Sequence, residues 1–248
     1  MIKKILQICL GVFFVIVIYL LAVNWLIYYR LGLANLKSND QQNNYIFNNE
    51  ATSSSLIYVS LGDSLTAGVG VDDYKKTYPF LIAQKLAGTS TPIVHFNFSY
   101  PGAKTENIIN DFLTETVAQN PDLITILIGT NDVYGQISKN EFRYNYETII
   151  TQLKTQTKAK INIISLPLIG TDSLFLPPFN YYYGQRTLKF NKIIEEIAIN
   201  NDIHYIDLTT PTAIYTKAIS DYYSIDNFHP ADLGYRLWAQ IIYDNLYR

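Results

Sequence analysis

From residue 56 onward, short apolar runs alternate with amphipathic stretches of helical length, and this alternation constrains the fold more than any other feature. The runs are rich in Ile, Leu, Val and Phe, as in strands that are buried on both faces. They span 56–61, 93–98, 123–128, 161–166 and 204–208. The helical stretches lie near 79–87, 105–119, 141–156 and 186–200, and a last one covers 232–246. The pattern predicts a three-layer α/β/α domain with about five parallel strands.

The N-terminal segment is of a different kind. No charged side chain occurs between Lys4 and Arg30, and nearly every residue between them is apolar. About 20 such residues suffice to cross a bilayer as a helix. Aromatic side chains, which favour the membrane interface, gather at the far end of the segment, as Trp25, Tyr28 and Tyr29. Residues 1–34 are therefore predicted to be a cytoplasmic stub followed by a single transmembrane signal-anchor.

A second possibility stays open for this segment. Gly32, Leu33 and Ala34 resemble a signal-peptidase site, so the chain could instead be secreted after cleavage. Both alternatives place the rest of the chain outside the cytoplasm. Residues 35–55 are polar, rich in Asn, Gln and Ser, and without helical or strand periodicity, so they are predicted to form a flexible tether. Residues 56–248 then form one domain.

Charge and cysteine content exclude several classes of function. The formal net charge of −2 argues against a protein that binds nucleic acid through a basic face. The single cysteine, Cys9, allows no intrachain disulfide and no thiolate zinc site. No HExxH pattern is present. We therefore expect neither a metal nor a cofactor.

Small and polar residues follow the predicted strands at several points. Ser64 comes after the first strand, Gly102 after the second and Asn131 after the third, while Asp226 and His229 precede the last helix. Ligands of parallel α/β sheets bind beyond the carboxyl ends of the strands. These residues are therefore predicted to converge on one rim of the sheet.

Together these residue types suit acyl transfer. A serine hydroxyl becomes a nucleophile when a neighbouring base takes its proton, and His229 is the natural base. Asp226, three residues earlier, is placed to orient the imidazole. The backbone N–H groups of Ser64 and Gly102 and the side-chain amide of Asn131 are the predicted oxyanion donors. Asp63 and Asp132 are predicted to hold turns, and His95 and His204 to lie in the core or at its rim.

Four short blocks carry a family resemblance. They are GDSL at 62–65, PG at 101–102, GTND at 129–132 and DNFH at 226–229. In this order they resemble the blocks of the SGNH (GDSL-type) hydrolases, across essentially all of residues 56–248. The resemblance implies a flavodoxin-like sheet and an esterase, lipase, thioesterase or carbohydrate-deacetylating activity. It identifies Ser64, Gly102, Asn131 and His229 as the family-defining residues, with Asp226 as the acid of the triad.

The function predicted from these features is that of a membrane-tethered serine esterase acting on lipid, lysophospholipid or short acyl esters through an acyl-enzyme. Three alternatives remain. The chain could be an O-acetyl esterase of cell-wall or surface polysaccharide, a non-catalytic surface binding module with the same fold, or a cytoplasmic thioesterase. The apolar N-terminal segment argues against the last of these.

The stretch 167–186 follows the fourth predicted strand and is too long for an average connection. Its apolar and aromatic side chains, including Phe175 and Phe179, are predicted to form a wall for an acyl chain, to dip toward the bilayer, or to pack over the sheet edge. Tyr134, just after the Asn131 block, is a second candidate for lining the substrate pocket.

Overall fold

The computed structural model describes residues 1–34, 44–48, 55–88, 91–168, 174–216 and 221–246. These residues form a six-stranded sheet. The strands are β1 (Asn44–Phe47), β2 (Leu56–Gly62), β3 (Ile93–Ser99), β4 (Leu123–Leu127), β5 (Lys160–Ile164) and β6 (His204–Ile206). Their order across the sheet is β1-β3-β2-β4-β5-β6, with β1 antiparallel to β3 and the other pairs parallel.

The five parallel strands confirm the fold class predicted from the sequence. Counted from β2, their order is 2-1-3-4-5, which is the flavodoxin-like order. The register aligns Gly62, at the end of β2, with Ser99 of β3 and with Leu127 of β4. The three central strands therefore end at the same level, and the segments that follow them emerge side by side.

The antiparallel edge strand β1 lies inside the stretch that was predicted to be a tether without strand periodicity. Tyr45 and Phe47 point to the same side of β1, and their rings lie 4.9 and 5.1 Å from the ring of Phe80. This contact extends the core beyond the parallel sheet. The alternation of two aromatic side chains is too short to stand out in a polar sequence, which is why the strand was missed. The tether prediction for the remaining residues of 35–55 concerns mostly positions outside the described residues.

The helices flank the sheet. They are α1 (Ile2–Leu31), α2 (Ser64–Ala67), α3 (Tyr78–Ala87), α4 (Thr105–Asn107), α5 (Leu113–Ala118), α6 (Thr130–Tyr134), α7 (Lys139–Gln156), α8 (Phe179–Asn200), α9 (Thr209–Thr212) and α10 (Asp232–Asn245). A π-helical turn, Ile108–Phe112, joins α4 to α5 within the helix predicted at 105–119. Helices α3 and α10 pack on each other, and α7 packs against both α5 and α8.

Helix α8 begins at Phe179, so the second half of the stretch predicted to be a loop is helical. Within its first turns Tyr181 and Tyr182 face solvent, whereas Tyr183 is buried and stacks on Tyr134. That packing favours helix over loop, and a run of aromatic residues does not reveal it in sequence. Residues 169–173 lie outside the described residues.

Helix α1 has 30 residues and a mean hydropathy of 2.8 in its most apolar window, which suits a membrane span by length and composition. Most of its side chains are exposed. Near its C-terminal end, however, Val23 and Ile27 are buried against the rest of the chain.

Candidate active site

Ser64 stands at the first turn after the central strand. β2 ends at Gly62, the side chain of Asp63 caps α2 by accepting a hydrogen bond from the Leu65 amide (3.0 Å), and Ser64 is the first residue of that helix. A Cβ at residue 62 would lie 1.9 Å from the Thr66 hydroxyl oxygen and 2.6 Å from the Leu127 carbonyl oxygen. Only glycine therefore allows α2 and β4 to approach this closely and fix the position of Ser64.

A chain of hydrogen bonds joins Ser64, His229 and Asp226. The Ser64 Oγ lies 2.9 Å from Nε2 of His229, and Nδ1 of the same ring lies 2.5 Å from Oδ2 of Asp226. All three side chains are buried. A serine, an imidazole and a carboxylate connected in this order can activate the hydroxyl for attack on a carbonyl carbon.

The turn that carries Asp226 keeps its carboxylate ionised. Oδ1 accepts hydrogen bonds from the amides of Phe228 (2.9 Å) and His229 (3.0 Å) and from the Ser224 hydroxyl (2.7 Å). Burial opposes ionisation, but these bonds and the contact with His229 outweigh it and lower the pKa of Asp226. The carboxylate can therefore fix the imidazole tautomer and stabilise its protonated form.

Asn131 and Gly102 lie beside Ser64. Asn131 is in α6, after the end of β4, and its side-chain amide donates to the carbonyl oxygen of Ala103 (2.9 Å) and approaches Oδ2 of Asp63 (3.5 Å). The amides of Ser64 and Gly102 donate to no residue that the structure describes. These two N–H groups are available to an oxyanion, whereas the second hydrogen of the Asn131 amide is directed at Asp63 in a long hydrogen bond.

Two further carboxylates tie the site together. Asp132 accepts hydrogen bonds from the amide and the hydroxyl of Thr105, which fixes the start of α4 against α6, and burial raises its pKa. Asp63 is fully buried, and burial raises its pKa to about 7, against the opposing effect of the hydrogen bond from the Leu65 amide. Asp63 caps the turn for which the sequence predicted it, whereas Asp132 lies in α6 and its side chain holds Thr105 of α4.

A cavity of about 260 Å³ opens at Ser64. One side consists of polar and small residues, and the other is apolar and formed by Leu31, Tyr134, Phe175 and Phe228. The structure thus places Tyr134 and Phe175 where the sequence suggested. Leu31 and Phe228 were missed. Phe228 was detectable, because it lies within the DNFH block, whereas Leu31 belongs to the segment predicted to be a membrane anchor.

Phe179 does not line this cavity, and its predicted contact with the substrate is corrected here. It lines a second cavity of about 780 Å³, together with Leu20, Tyr181, Tyr182 and several polar residues of α8. The reason is the start of α8 at Phe179, which turns this side chain away from Ser64. Phe175 precedes the helix and reaches the site.

The two other histidines stand apart from this site. His95 is buried, lies 3.0 Å from the Ser60 hydroxyl through Nε2 and stacks on Tyr58, and burial lowers its pKa to about 3. His204 pairs through Nδ1 with the Asn162 side-chain oxygen (3.0 Å). Among the described residues, no group of three or more His, Cys, Asp or Glu side chains is arranged to hold a metal ion.

The sequence matches a known family. Residues 60–237 match the model of the GDSL-like lipase/acylhydrolase family. A lipase from Streptomyces rimosus is 38% identical over 86 residues, and the match covers 30% of this chain and 30% of that protein. The chain thus spans about a third of the curated relative it matches.

Solved structures with the same fold include enzymes of more than one kind. A lipase/acylhydrolase from Enterococcus faecalis superposes with a TM-score of 0.64 at 24% identity, over 76% of this chain and 94% of that one. The acetylxylan esterase Axe2 from Geobacillus stearothermophilus gives a TM-score of 0.64 at 16% identity, over 79% and 96%. The acetyl xylan esterase AlAXEase gives 0.62 at 21% identity, over 76% and 98%. At these identities the likeness concerns the fold.

Proposed function

Because this chain belongs to the GDSL-like lipase/acylhydrolase family, a family of carboxylic ester hydrolases, we propose that it cleaves carboxylic esters through an acyl-enzyme on Ser64. The observation that carries the proposal is the continuous chain of hydrogen bonds from Ser64 through His229 to Asp226. That chain begins at the floor of an apolar cavity, which suits the acyl part of an ester.

In the first half of the reaction, the Ser64 Oγ attacks the ester carbonyl carbon as His229 Nε2 takes its proton. The carbonyl electron pair moves to the oxygen. When that tetrahedral intermediate collapses, the bond to the leaving alkoxide oxygen breaks and His229 returns the proton to it, so that an alcohol departs. Asp226 stabilises the imidazolium that exists between these two transfers.

In the second half, a water molecule takes the place of the alcohol. His229 removes one of its protons while its oxygen attacks the carbonyl carbon of the acyl-enzyme. Collapse of the second tetrahedral intermediate breaks the bond to Ser64, whose oxygen recovers the proton from His229. The products are a carboxylic acid and the original enzyme, and no cofactor takes part.

The negative oxygen of both intermediates needs donors near Ser64. We assign this role to the amides of Ser64 and Gly102 and to the side-chain amide of Asn131. The bond from Asn131 to the Ala103 carbonyl fixes the orientation of the amide, and its second hydrogen exchanges a long bond to Asp63 for one to the substrate oxyanion. Removing one such donor typically slows acyl transfer by about 10²–10³.

Substrate choice and location form the finer part of the proposal. The apolar cavity wall and the N-terminal helix favour an ester with a fatty acyl chain, cleaved by an enzyme that α1 holds on the outer side of a membrane. A second candidate is an O-acetyl esterase of surface polysaccharide, which the shared fold with acetyl xylan esterases supports.

The activity is tested by hydrolysis of 4-nitrophenyl esters by the purified full-length protein. Ser64→Ala should reduce kcat by about 10³ or more, since it removes the nucleophile. Ser138→Ala, which removes a hydroxyl from the exposed cap of α7, is the matched control and should retain full activity. Comparable rates for Ser64→Ala and the unaltered protein would rule out the mechanism. A well-folded protein that cleaves none of the esters would favour the binding module.

A further inference from the structure

The last turns of α1 lie on the domain along one side of the helix. Tyr19, Val23, Ile27 and Leu31 follow each other at intervals of four residues and therefore form one stripe. Val23 and Ile27 are each only 3% exposed, whereas Leu21, on another face of the helix, is 64% exposed. The middle of the stripe is thus a packed contact, whereas Leu21 and the other exposed side chains of α1 face away from the domain.

Polar contacts hold the same part of α1 in place. The Tyr19 hydroxyl donates to the carbonyl oxygen of Pro177 (2.7 Å), and the Arg30 guanidinium donates to that of Ile225 (3.4 Å). Tyr28 lies near Tyr134 of the cavity wall: burial is the main cause of the raised pKa of Tyr134, and Tyr28 adds to the rise. The helix therefore contacts the segments on either side of the candidate active site.

Leu31, at the end of this stripe, completes the cavity at Ser64. It stands in the apolar wall with Tyr134, Phe175 and Phe228. The other three side chains belong to the domain, so Leu31 is the contribution of α1 to this wall. At about 260 Å³, the cavity is near the lower limit for ligand sites, so it suits an acyl chain and not a whole lipid.

The length of α1 places this cavity close to the bilayer. The hydrocarbon region takes about 20 residues of a helix, so a span that starts at Met1 ends near Leu20, where α1 begins to contact the domain. Leu31 is eleven residues further on, or about 16 Å at a rise of 1.5 Å per residue. The interfacial region is about 5–8 Å thick on each side, so the cavity lies just outside the lipid headgroups.

Exposed apolar side chains occur at the same level. Ile225 is 70% exposed, and its carbonyl oxygen is the acceptor for Arg30, one residue before Leu31. Trp25 and Tyr29 of α1 are exposed and stack on each other, as aromatic rings do at a membrane interface. These side chains mark the face of the domain that rests on the bilayer.

We propose that α1 is part of the active site as well as an anchor: Leu31 forms a wall of the acyl pocket, and the substrate is an acyl ester of a lipid in the same bilayer. The proposal rests on the esterase function proposed above and adds to it the class of substrate and the residue that limits the length of its chain. The lipid is drawn partly out of the bilayer, so that its ester group reaches Ser64 and its acyl chain lies between Leu31 and the aromatic wall.

The first test fills the pocket from the side of α1. In full-length protein in detergent, Leu31→Trp should lower the ratio of kcat/KM for an octanoyl ester to that for an acetyl ester by about tenfold or more, since excluding one methylene from an apolar pocket changes kcat/KM by about 10–200-fold. Leu31→Phe adds less volume to the pocket and should lower the ratio less. It replaces Leu31→Trp as the test if that variant does not fold. Leu21→Trp, on the exposed face of α1, is the matched control and should leave the ratio unchanged.

The outcomes of this test separate the two proposals. A ratio in both Leu31 variants equal to that of the unaltered protein would overturn the role of α1 in the pocket. So would an equal loss of activity on both esters. If Ser64→Ala hydrolyses both esters as fast as the unaltered protein does, the esterase mechanism itself fails.

The second test concerns the origin of the substrate. The full-length protein is reconstituted into phosphatidylcholine vesicles that contain a small fraction of phosphatidylcholine with a fluorescent acyl chain. Fluorescent fatty acid should be released when labelled lipid and protein share a bilayer and not when the labelled lipid is in separate vesicles. Equal release in both cases, or no release by protein that cleaves a soluble acetyl ester through Ser64, would overturn a membrane-lipid substrate.

Discussion

At the scale of single residues, two of the three buried carboxylates at the site have opposite pKa shifts. Asp226 receives hydrogen bonds from two amides, a hydroxyl and an imidazole, and these lower its pKa despite burial. Asp63 accepts one amide hydrogen bond at 3.0 Å and a longer one from Asn131, and burial raises its pKa to about 7. The contact with His229, added to the neutral donors, distinguishes Asp226 as the carboxylate that is charged and can serve the imidazole.

The raised pKa of Asp63 predicts a pH-dependent stability. Its pKa is about 7 in the folded protein and 3.8 ordinarily, so between these values the folded state binds more protons than the unfolded state. The free energy of unfolding should therefore fall as the pH rises from about 4 to 7. Asp63→Asn, which keeps an oxygen to cap α2 but does not titrate, should remove this part of the decrease.

The measurement is the melting temperature of both full-length proteins in detergent at several pH values. The difference between them isolates Asp63 from groups that titrate in both. Asp226, with its lowered pKa, contributes stability that is lost only at more acidic pH. If the melting temperatures of the two proteins changed by the same amount from pH 4 to pH 7, the carboxyl of Asp63 would titrate normally and the prediction would be wrong.

At the scale of elements, the sequence was most informative where a pattern repeats. The five parallel strands and the long helices α7 and α10 were predictable because burial imposes a period on many residues. Strand β1 and the start of α8 were not, since each depends on contacts between aromatic side chains far apart in sequence, such as Tyr45 with Phe80 and Tyr183 with Tyr134. The sequence around each of these residues does not show which distant aromatic side chain it contacts.

The segment after α2 supports the segment that carries His229. Gly70 has φ +105°, and a Cβ there would lie 2.3 Å from the Pro230 carbonyl oxygen and 3.1 Å from the His229 Cβ. Gly70→Ala should therefore destabilise the protein by about 1–3 kcal/mol and reduce kcat, because the clash displaces His229 from Ser64. Gly70 positions His229 and takes no part in the chemistry.

Gly88→Ala is the matched control. Gly88 also has a positive φ, of +50°, but a Cβ there would meet nothing within 4 Å. Gly88→Ala should lower the free energy of unfolding through backbone strain alone and leave kcat unchanged. Unfolding in urea and ester hydrolysis measure the two effects. A normal kcat in Gly70→Ala would mean that the position of His229 does not depend on this contact.

At the scale of the whole molecule, the N-terminal helix α1 packs on the domain through Val23 and Ile27. The blocks around Ser64, Asn131 and His229 could be located in the sequence because few functions other than acyl transfer require these residue types in that order. The position of Leu31 could not, since a uniformly apolar helix gives no sign of which face meets a protein and which meets lipid. The cavity is therefore a property of the full chain and not of residues 56–248 alone.

The central claim is that Ser64 is the nucleophile, and covalent labelling tests it most directly. The full-length protein is treated with a fluorophosphonate, digested and examined by mass spectrometry. One phosphonate group should be found on the peptide that contains Ser64, and the Ser64→Ala protein should not be labelled. A folded protein that remains unlabelled, or a phosphonate on a different residue, would contradict the account.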